Sequence, residues 1–516
     1  MIQNIKSLFS QARIQNGTTF CLFIWFSCFL SSPYSIAQQI DTTIDRVKTD
    51  LKIKLPLLGS VKYRNANEIE SSNWIIGCEG LDRDLTDYDQ YKEYLNPLGI
   101  KVLRMQAGWA KTEKIRGVYD WSWLDHIIND ATSKGFTIWL QTSYGNTLYP
   151  EGGGMTLGGG IPKSKEALLA YHKWVEALVS RYKNKVRDWE VWNEPNFGDN
   201  SENTPELMAE FNINNAKIIK KIQPNAKITG LSIGHFNYKY ANDFFKYISK
   251  KRKMKLFDYM AYHDYVYNPD SNNLTVFELK ALLQKYGPNV KLRQGENGAP
   301  SAFGAGRGAL WDYDWTELSQ AKWNLRRMLG NLGNDVECSI FSIIDLAYTT
   351  GPINKLNHKG IIKADETKKA LGPKMAYYAM QNLTAIFDNS LQKLPGFSHT
   401  FNISGVNNSD FRYSMSNDRG ITVGGYENKV SKKQLYAIWK NEYIPLNTNE
   451  LSEVTFSFAN CTIENPVYVD LLTGKVYDIP SKQWSKKGTI YTFKNIPIYD
   501  SPILIADKSL INSTNL

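Results

Sequence analysis

The stretch DWEVWNEPN (Asp188–Asn196) reads as a short apolar strand that ends in a cluster of polar residues. Seven further runs of the same kind lie on either side of it: Trp74–Gly77, Val102–Ala107, Phe136–Gln141, Lys227–Ser232, Phe257–His263, Lys291–Gly295 and Cys338–Ile344. Helix-like sequence follows the runs, as at Trp123–Ser133, Lys165–Arg181 and Thr316–Leu329. Short apolar runs alternating with helical periodicity predict βα units and a parallel sheet. Eight such units over about 300 residues match the size and order of a (β/α)8 TIM barrel. An open doubly wound sheet is the competing arrangement, but no Gly-x-Gly-x-x-Gly follows the first strand.

After residue 390 the texture changes. Ile421–Val423, Leu435–Trp439, Val454–Phe458, Val467–Leu472 and Thr489–Phe493 are short alternating segments split by Asn, Gly and Pro turns. They predict an antiparallel β-sandwich, completed by a strand from within residues 40–70. The expected organisation is a barrel over 74–388, a sandwich over 389–510, and an N-terminal segment, 38–73, that pairs with the sandwich. Polar residues after Asp507 are expected to fray. Residues 1–37 read as a signal peptide: Lys6 and Arg13 precede the apolar FCLFIWFSCFL (Phe20–Leu30), and Ser35-Ile36-Ala37 supplies a small-x-small cleavage site. Export to the periplasm or the medium is expected, with no membrane insertion left after cleavage, because the apolar run is too short to span a bilayer.

With 42% hydrophobic and 22% charged residues, the 516-residue chain is not disordered, collagen-like or a multi-span membrane protein. Its aromatic share, 13%, suits packed cores and also surfaces that stack sugars or bases. The net charge of +10 is scattered, and its densest run, Lys250–Lys255, reads as a solvated helix end, so no nucleic-acid surface is expected. Beyond the signal segment stand Cys78, Cys338 and Cys461, an odd number with no CxxC spacing. They imply neither a disulfide framework nor a zinc site and are expected as buried thiols, with a single bridge left open.

In such a barrel, functional groups project from the C-terminal ends of the strands. Those ends carry Arg104, Gln141, Asn193-Glu194-Pro195, His263 with Tyr265, Glu296-Asn297 and Asp345. Glu194 closes the fourth strand and Glu296 the seventh, so their carboxyls are expected to face each other across the mouth. Two carboxyls flanking one bond are what glycoside hydrolysis requires: one protonates the leaving oxygen while the other attacks the anomeric carbon or activates water. The Gly-rich EGGGMTLGGG (Glu151–Gly160) lacks the Gly-Lys-Ser/Thr ending of a phosphate loop and is expected as a mobile loop covering the substrate; Ala299–Trp315 is expected as a loop over the site. His263-Asp264 has no partner at metal-ligand spacing, so no metal is expected, and two carboxylates need no organic cofactor.

WEVWNEPN (Trp189–Asn196) resembles the acid/base motif of the retaining glycoside hydrolases of clan A, most closely family 39, the group of β-xylosidases and α-L-iduronidases. Gly117-Val118-Tyr119-Asp120-Trp121 with Leu124-Asp125, His263-Asp264-Tyr265, and Pro373–Tyr378 leading to Asn382-Leu383 support the likeness. The resemblance implies Glu194 as acid/base and Glu296 as nucleophile. It implies Asn193 on the sugar 2-hydroxyl and Arg104 beneath the nucleophile, holding it ionised. His263 and Tyr265 would orient the nucleophile and line the sugar site, and Trp192, Gln141, Trp109 and Trp311 are expected against the substrate. The Trp such families often place after strand eight is absent; Asp345 and Tyr348 stand there. The expected function is an exported retaining glycosidase cleaving a poly- or oligosaccharide by double displacement. A non-catalytic carbohydrate-binding barrel is the rival, and a wider carboxyl separation would signal inversion instead.

Overall fold

The computed structural model describes residues 47–197, 203–303, 308–350, 353–394, 396–403, 409–411, 420–441 and 443–515. The signal-peptide segment lies outside the described residues. Eight parallel strands close into a barrel: Trp74–Gly77, Val102–Gln106, Thr137–Thr142, Asp188–Val191, Lys227–Ile233, Tyr259–Tyr262, Lys291–Asn297 and Glu337–Ile340, here strands one to eight. Strand eight pairs back onto strand one, Ile75 opposite Ser339. Long helices cover most crossovers, at Ser122–Ser133, Lys165–Tyr182, Pro205–Ile222, Tyr238–Lys250, Asn273–Tyr286, Glu317–Gly333 and Met375–Ile386. The first crossover is the exception, carrying two 3-10 turns, Leu81–Arg83 and Tyr88–Gln90, and the four-residue helix Lys92–Leu95.

Local sequence explains the helix starts. Ser164 and Thr204 accept hydrogen bonds from the backbone N–H three residues on, and Pro205 opens its helix where no N–H donor is needed. Lys165–Tyr182 then buries Tyr171, Trp174, Val175 and Leu178 against the barrel, at helical spacing, and leaves its charged residues outside.

The barrel interior is not wholly apolar. Trp139 of strand three lies between two guanidiniums, Arg104 at 5.2 Å and Arg293 at 4.5 Å from its ring centre. Arg293 pairs with Asp188 at 2.9 Å and Glu337 at 2.6 Å. Burial still pushes the Asp188 carboxyl up, to about 6, against the pull of Arg293.

The C-terminal part is a sandwich of an eight-stranded and a five-stranded antiparallel sheet. Tyr436 stacks on Phe458 across its core, ring centres 3.9 Å apart. Leu57–Val61, the first described strand, lies in the larger sheet between Lys475–Asp478 and Ser513–Asn515. Residues 513–515, expected to fray, are therefore an edge strand. Their polar side chains hid this, because edge pairing is made by the backbone. Cys78, Cys338 and Cys461 are buried and unbridged.

The helix Glu317–Gly333 ties barrel to sandwich through two buried cations. Lys322 donates to Asp500 at 2.7 Å and to the carbonyls of Leu446 and Thr448. Arg326 pairs with Asp270 and reaches the carbonyls of Asn441 and Tyr443, while Trp439 donates to Asp270 at 3.0 Å. Removing one partner of a buried pair strands the other charge. Asp500→Ala should therefore lower unfolding stability by about 3–5 kcal/mol in denaturant titration. A loss below ~1 kcal/mol would show that the carbonyls alone satisfy Lys322.

Candidate active site

The site is built upward from Arg104, which is fully buried on strand two. Its Nε and Nη2 grip Glu190 of strand four, at 2.8 and 3.2 Å. Nη2 also donates to Asn193 Oδ1 at 3.0 Å. Nη1 donates to Glu79, just past strand one, at 2.8 Å and lies 3.5 Å from Glu296. Ser232 of strand five completes Glu190 with a hydrogen bond of 2.8 Å.

Above this layer, Glu194 and Glu296 meet at His263. Its Nδ1 lies 2.7 Å from Glu194 and 3.1 Å from Glu296. An ionised carboxylate only accepts, so Nδ1 is the donor when both glutamates are charged. The nearest ligand atoms of the three residues all lie within 4.8 Å of one another, the one such cluster of His, Cys, Asp and Glu among the described residues. Gly295 leaves the imidazole its place, since a Cβ there would sit 3.0 Å from Nε2. Gly234 does the same for Glu194, whose Cδ would be 2.7 Å from a Cβ.

The backbone that presents Glu194 is strained. Trp192 and Glu194 have φ of 65° and 45°, and Leu231 and Ser232 beside them have 70° and 49°. Non-glycine residues adopt such angles only where surroundings enforce them. Here the Glu194 N–H donates to the Ser232 carbonyl, and Asn196 Oδ1 accepts from Gly234 N–H.

Electrostatics differ from the sequence expectation at one point. Burial pushes the Glu296 carboxyl above its ordinary value, and the charge of Glu194 adds to this; His263, Arg104 and a hydrogen bond from the Tyr265 hydroxyl oppose it. Arg104 was expected to hold Glu296 ionised; it does pull this carboxyl down, but burial outweighs it, and its single charge is divided among Glu79, Glu190 and Glu296, with Glu296 the most distant.

Several expected substrate contacts lie elsewhere. Gln141 has both ends of its amide engaged, donating to Asn193 and accepting from Gln106 and Ser143. Trp192, 1% exposed, packs against Tyr144, Tyr171 and Phe211. Trp109 is buried between Tyr149 and Trp174, with its Nε1 on Glu113. These rings support the site from behind. Asp345 is a buried partner of Lys374 at 2.7 Å. Trp311, half exposed, remains an open ring on its loop. The Gly-rich loop is tied internally: Gly145 and Gly154 donate to the carbonyls of Gly154 and Gly160, and Gly154 packs so close to Gly159 that a Cβ would sit 2.4 Å from its Cα.

Sequence reasoning missed Glu79, Glu190, Tyr144 and Lys359. Tyr144 accepts from Asn193 Nδ2 at 2.8 Å and lies 4.8 Å under the Arg83 guanidinium. Lys359 is buried, donates to the Ala309 carbonyl and lies 5.4 Å over the Tyr265 ring. Burial pushes its ammonium down to about 7, against the charge of Glu296.

Known proteins share the fold of this chain. Residues 84–151 match the family described as beta-galactosidase, glycoside hydrolase 42. A beta-galactosidase, BgaA of Clostridium cellulovorans, is 28% identical over 135 residues, 22% of this chain and 20% of BgaA; the match spans about a fifth of that relative. Among solved structures, a family 39 glycoside hydrolase from Bacteroides cellulosilyticus superposes with a TM-score of 0.60 at 14% identity, over 87% of this chain and 83% of that one. A monomeric beta-xylosidase from Caulobacter crescentus gives 0.54 at 14% identity, over 87% and 97%. The catalytic domain of the family 30 xylanase C of Talaromyces cellulolyticus gives 0.52 at 12%, over 87% and 98%. The chain thus has the barrel-and-sandwich fold of these clan A glycoside hydrolases.

The Lys359 environment is open to direct measurement. An amine whose folded value is near 7 and unfolded value near 10.5 binds fewer protons folded than unfolded between those limits. Stability therefore rises with pH across that window. Wild type should gain on Lys359→Met between pH 7 and about 10 in paired denaturant titrations. A constant difference across that range would place the ammonium in water.

Proposed function

We propose that the protein is an exported retaining glycoside hydrolase that cleaves O-glycosidic bonds of a poly- or oligosaccharide by double displacement. The observation that carries this reading is the pair Glu194 and Glu296, presented from strands four and seven with oxygens within 4.8 Å of each other beside His263. Retaining enzymes hold their carboxyls ~5–5.5 Å apart, and inverting ones ~6.5–9.5 Å, to admit a water. Nearest oxygens this close leave less room than the inverting spacing needs for a water, which supports retention.

Glu296, with Tyr265, His263 and Arg104 on its oxygens, is suited to attack the anomeric carbon. Glu194 protonates the leaving oxygen and then draws the proton from the water that hydrolyses the glycosyl ester. Asn193 has Oδ1 held by Arg104 and Gln141 and one Nδ2 hydrogen on Tyr144, leaving its other hydrogen for a sugar hydroxyl. A hydrogen bond that strengthens as the ring flattens accelerates the reaction. The names of the relatives suggest aryl β-xylosides, aryl β-galactosides and xylan as first substrates. Export rests on the N-terminal stretch Lys6–Ala37.

Glu296→Gln should abolish turnover. Glu194→Gln should spare aryl glycosides with good leaving groups, which need little protonation, and slow deglycosylation. Azide should rescue Glu194→Ala and give a glycosyl azide of retained configuration. An azide product of inverted configuration would mean that the two roles are exchanged. No turnover of any glycoside by wild type would favour a binding protein instead.

A further inference from the structure

Four carboxyls, Glu79, Glu190, Glu194 and Glu296, gather within the bonding reach of one guanidinium and one imidazole. Burying four negative charges against so few cations is unfavourable, and a crowded set of this kind keeps a proton on the member whose charge is least supported. The members are supported unequally. Glu190 has a two-pronged grip from Arg104 and a hydroxyl from Ser232. Glu296 has Tyr265, His263 and Arg104, and Glu194 has His263. Glu79, 2% exposed, has one side-chain bond, from Arg104 Nη1 to Oε1; beyond a contact with its own backbone N–H, its Oε2 is buried without a partner. That oxygen is folded back over its own strand, into space that exists only because residue 77 is glycine; a Cβ there would lie 2.2 Å away.

We propose that Glu79 carries a proton in the working site and is a neutral positioning residue, holding the Nη1 edge of Arg104 without neutralising it. The charge of Arg104 is then left for Glu190 and Glu296. The groups around Glu79 agree with this. Glu296 faces it from strand seven and Glu190 from strand four across Arg104, while Cys78, Tyr91 and Tyr265 add no positive charge. Burial, reinforced by Glu296 and opposed by Arg104, pushes the carboxyl up to about 8.

Part of the test is independent of turnover, because the role rests on the glycosidase reading while the proton does not. Difference infrared spectra of wild type and E79Q at pH 6 should show a carboxylic-acid carbonyl band present only in wild type, fading as the pH passes 8. Should E79Q not fold, the band is sought across pH 5–9 in E194Q, which lacks the acid/base carboxyl, where it should fade near pH 8 and not near 6, as the Asp188 acid would. A folded-state value above the ordinary one also means that stability falls as pH rises between the two, so wild type should lose melting temperature relative to E79Q from pH 5 to 8. With an aryl glycoside, E79A should lose at least about tenfold in kcat/KM, and the neutral isostere E79Q should recover most of it with the acid limb unmoved. The proposal falls if no such band exists, or if E79Q moves the acid limb down by about a unit, as removal of a negative charge beside Glu296 would. If wild type turns over nothing, the glycosidase reading fails, and the infrared and melting results still decide whether Glu79 is protonated.

Discussion

A guanidinium sealed from water inside a barrel has to be surrounded by acceptors, and Arg104 sets that requirement here. Moving a charge out of water costs several kcal/mol even after relaxation, which only well-placed hydrogen bonds and counter-charges offset. Arg104 meets this with Glu190, Glu79 and Asn193, drawn from the ends of strands one and four. Strand register makes this possible: Arg104 lies opposite Trp139 of strand three, and Gln141, two residues on, lies opposite Glu190. Above this hydrogen-bonded floor, Glu194 and Glu296 are held near the same imidazole.

The floor also pays for the strain above it. Four non-glycine residues at the ends of strands four and five adopt left-handed angles, each at an expense of order 1–3 kcal/mol. Backbone hydrogen bonds between the two strand ends hold them there, and the rings of Trp192, Tyr171 and Phe211 fill the space behind. Conformational energy stored this way leaves Glu194 with little freedom to leave the geometry it occupies.

Much of this was legible from sequence, for reasons that differ by residue. The eight apolar runs fall on the eight barrel strands because parallel strands covered on both faces are mostly apolar, here interrupted by the inward-facing Arg104, Glu190 and Arg293. Glu194 and Glu296 stand out because a carboxylate directly after such a run has nowhere to go but the mouth. Glu190 was hidden inside a strand, where only the barrel's closure shows that its side chain points to the lumen. Glu79 lies in a short turn, and Lys359 lies past a hairpin beyond strand eight, so neither has a local signature. Trp109 and Trp192 misled because ring type does not reveal direction. At Trp192 the left-handed backbone throws the ring toward the helices Lys165–Tyr182 and Pro205–Ile222 and away from the site.

Leu57–Val61 sits between strands formed by residues 475–478 and 513–515. A ribosome releases this segment long before either neighbour exists, so throughout synthesis it is an unpaired strand waiting on the far end of the chain. Domains generally fold as units as they emerge, whereas contacts so distant in sequence form last and slowly. The barrel can close during translation, but the larger sheet cannot. Between completion of the helix ending at Ile386 and synthesis of residues 475–478, the molecule is a closed barrel with a loose leading strand, the species on which chaperones would act and from which mispairing between nascent chains would start.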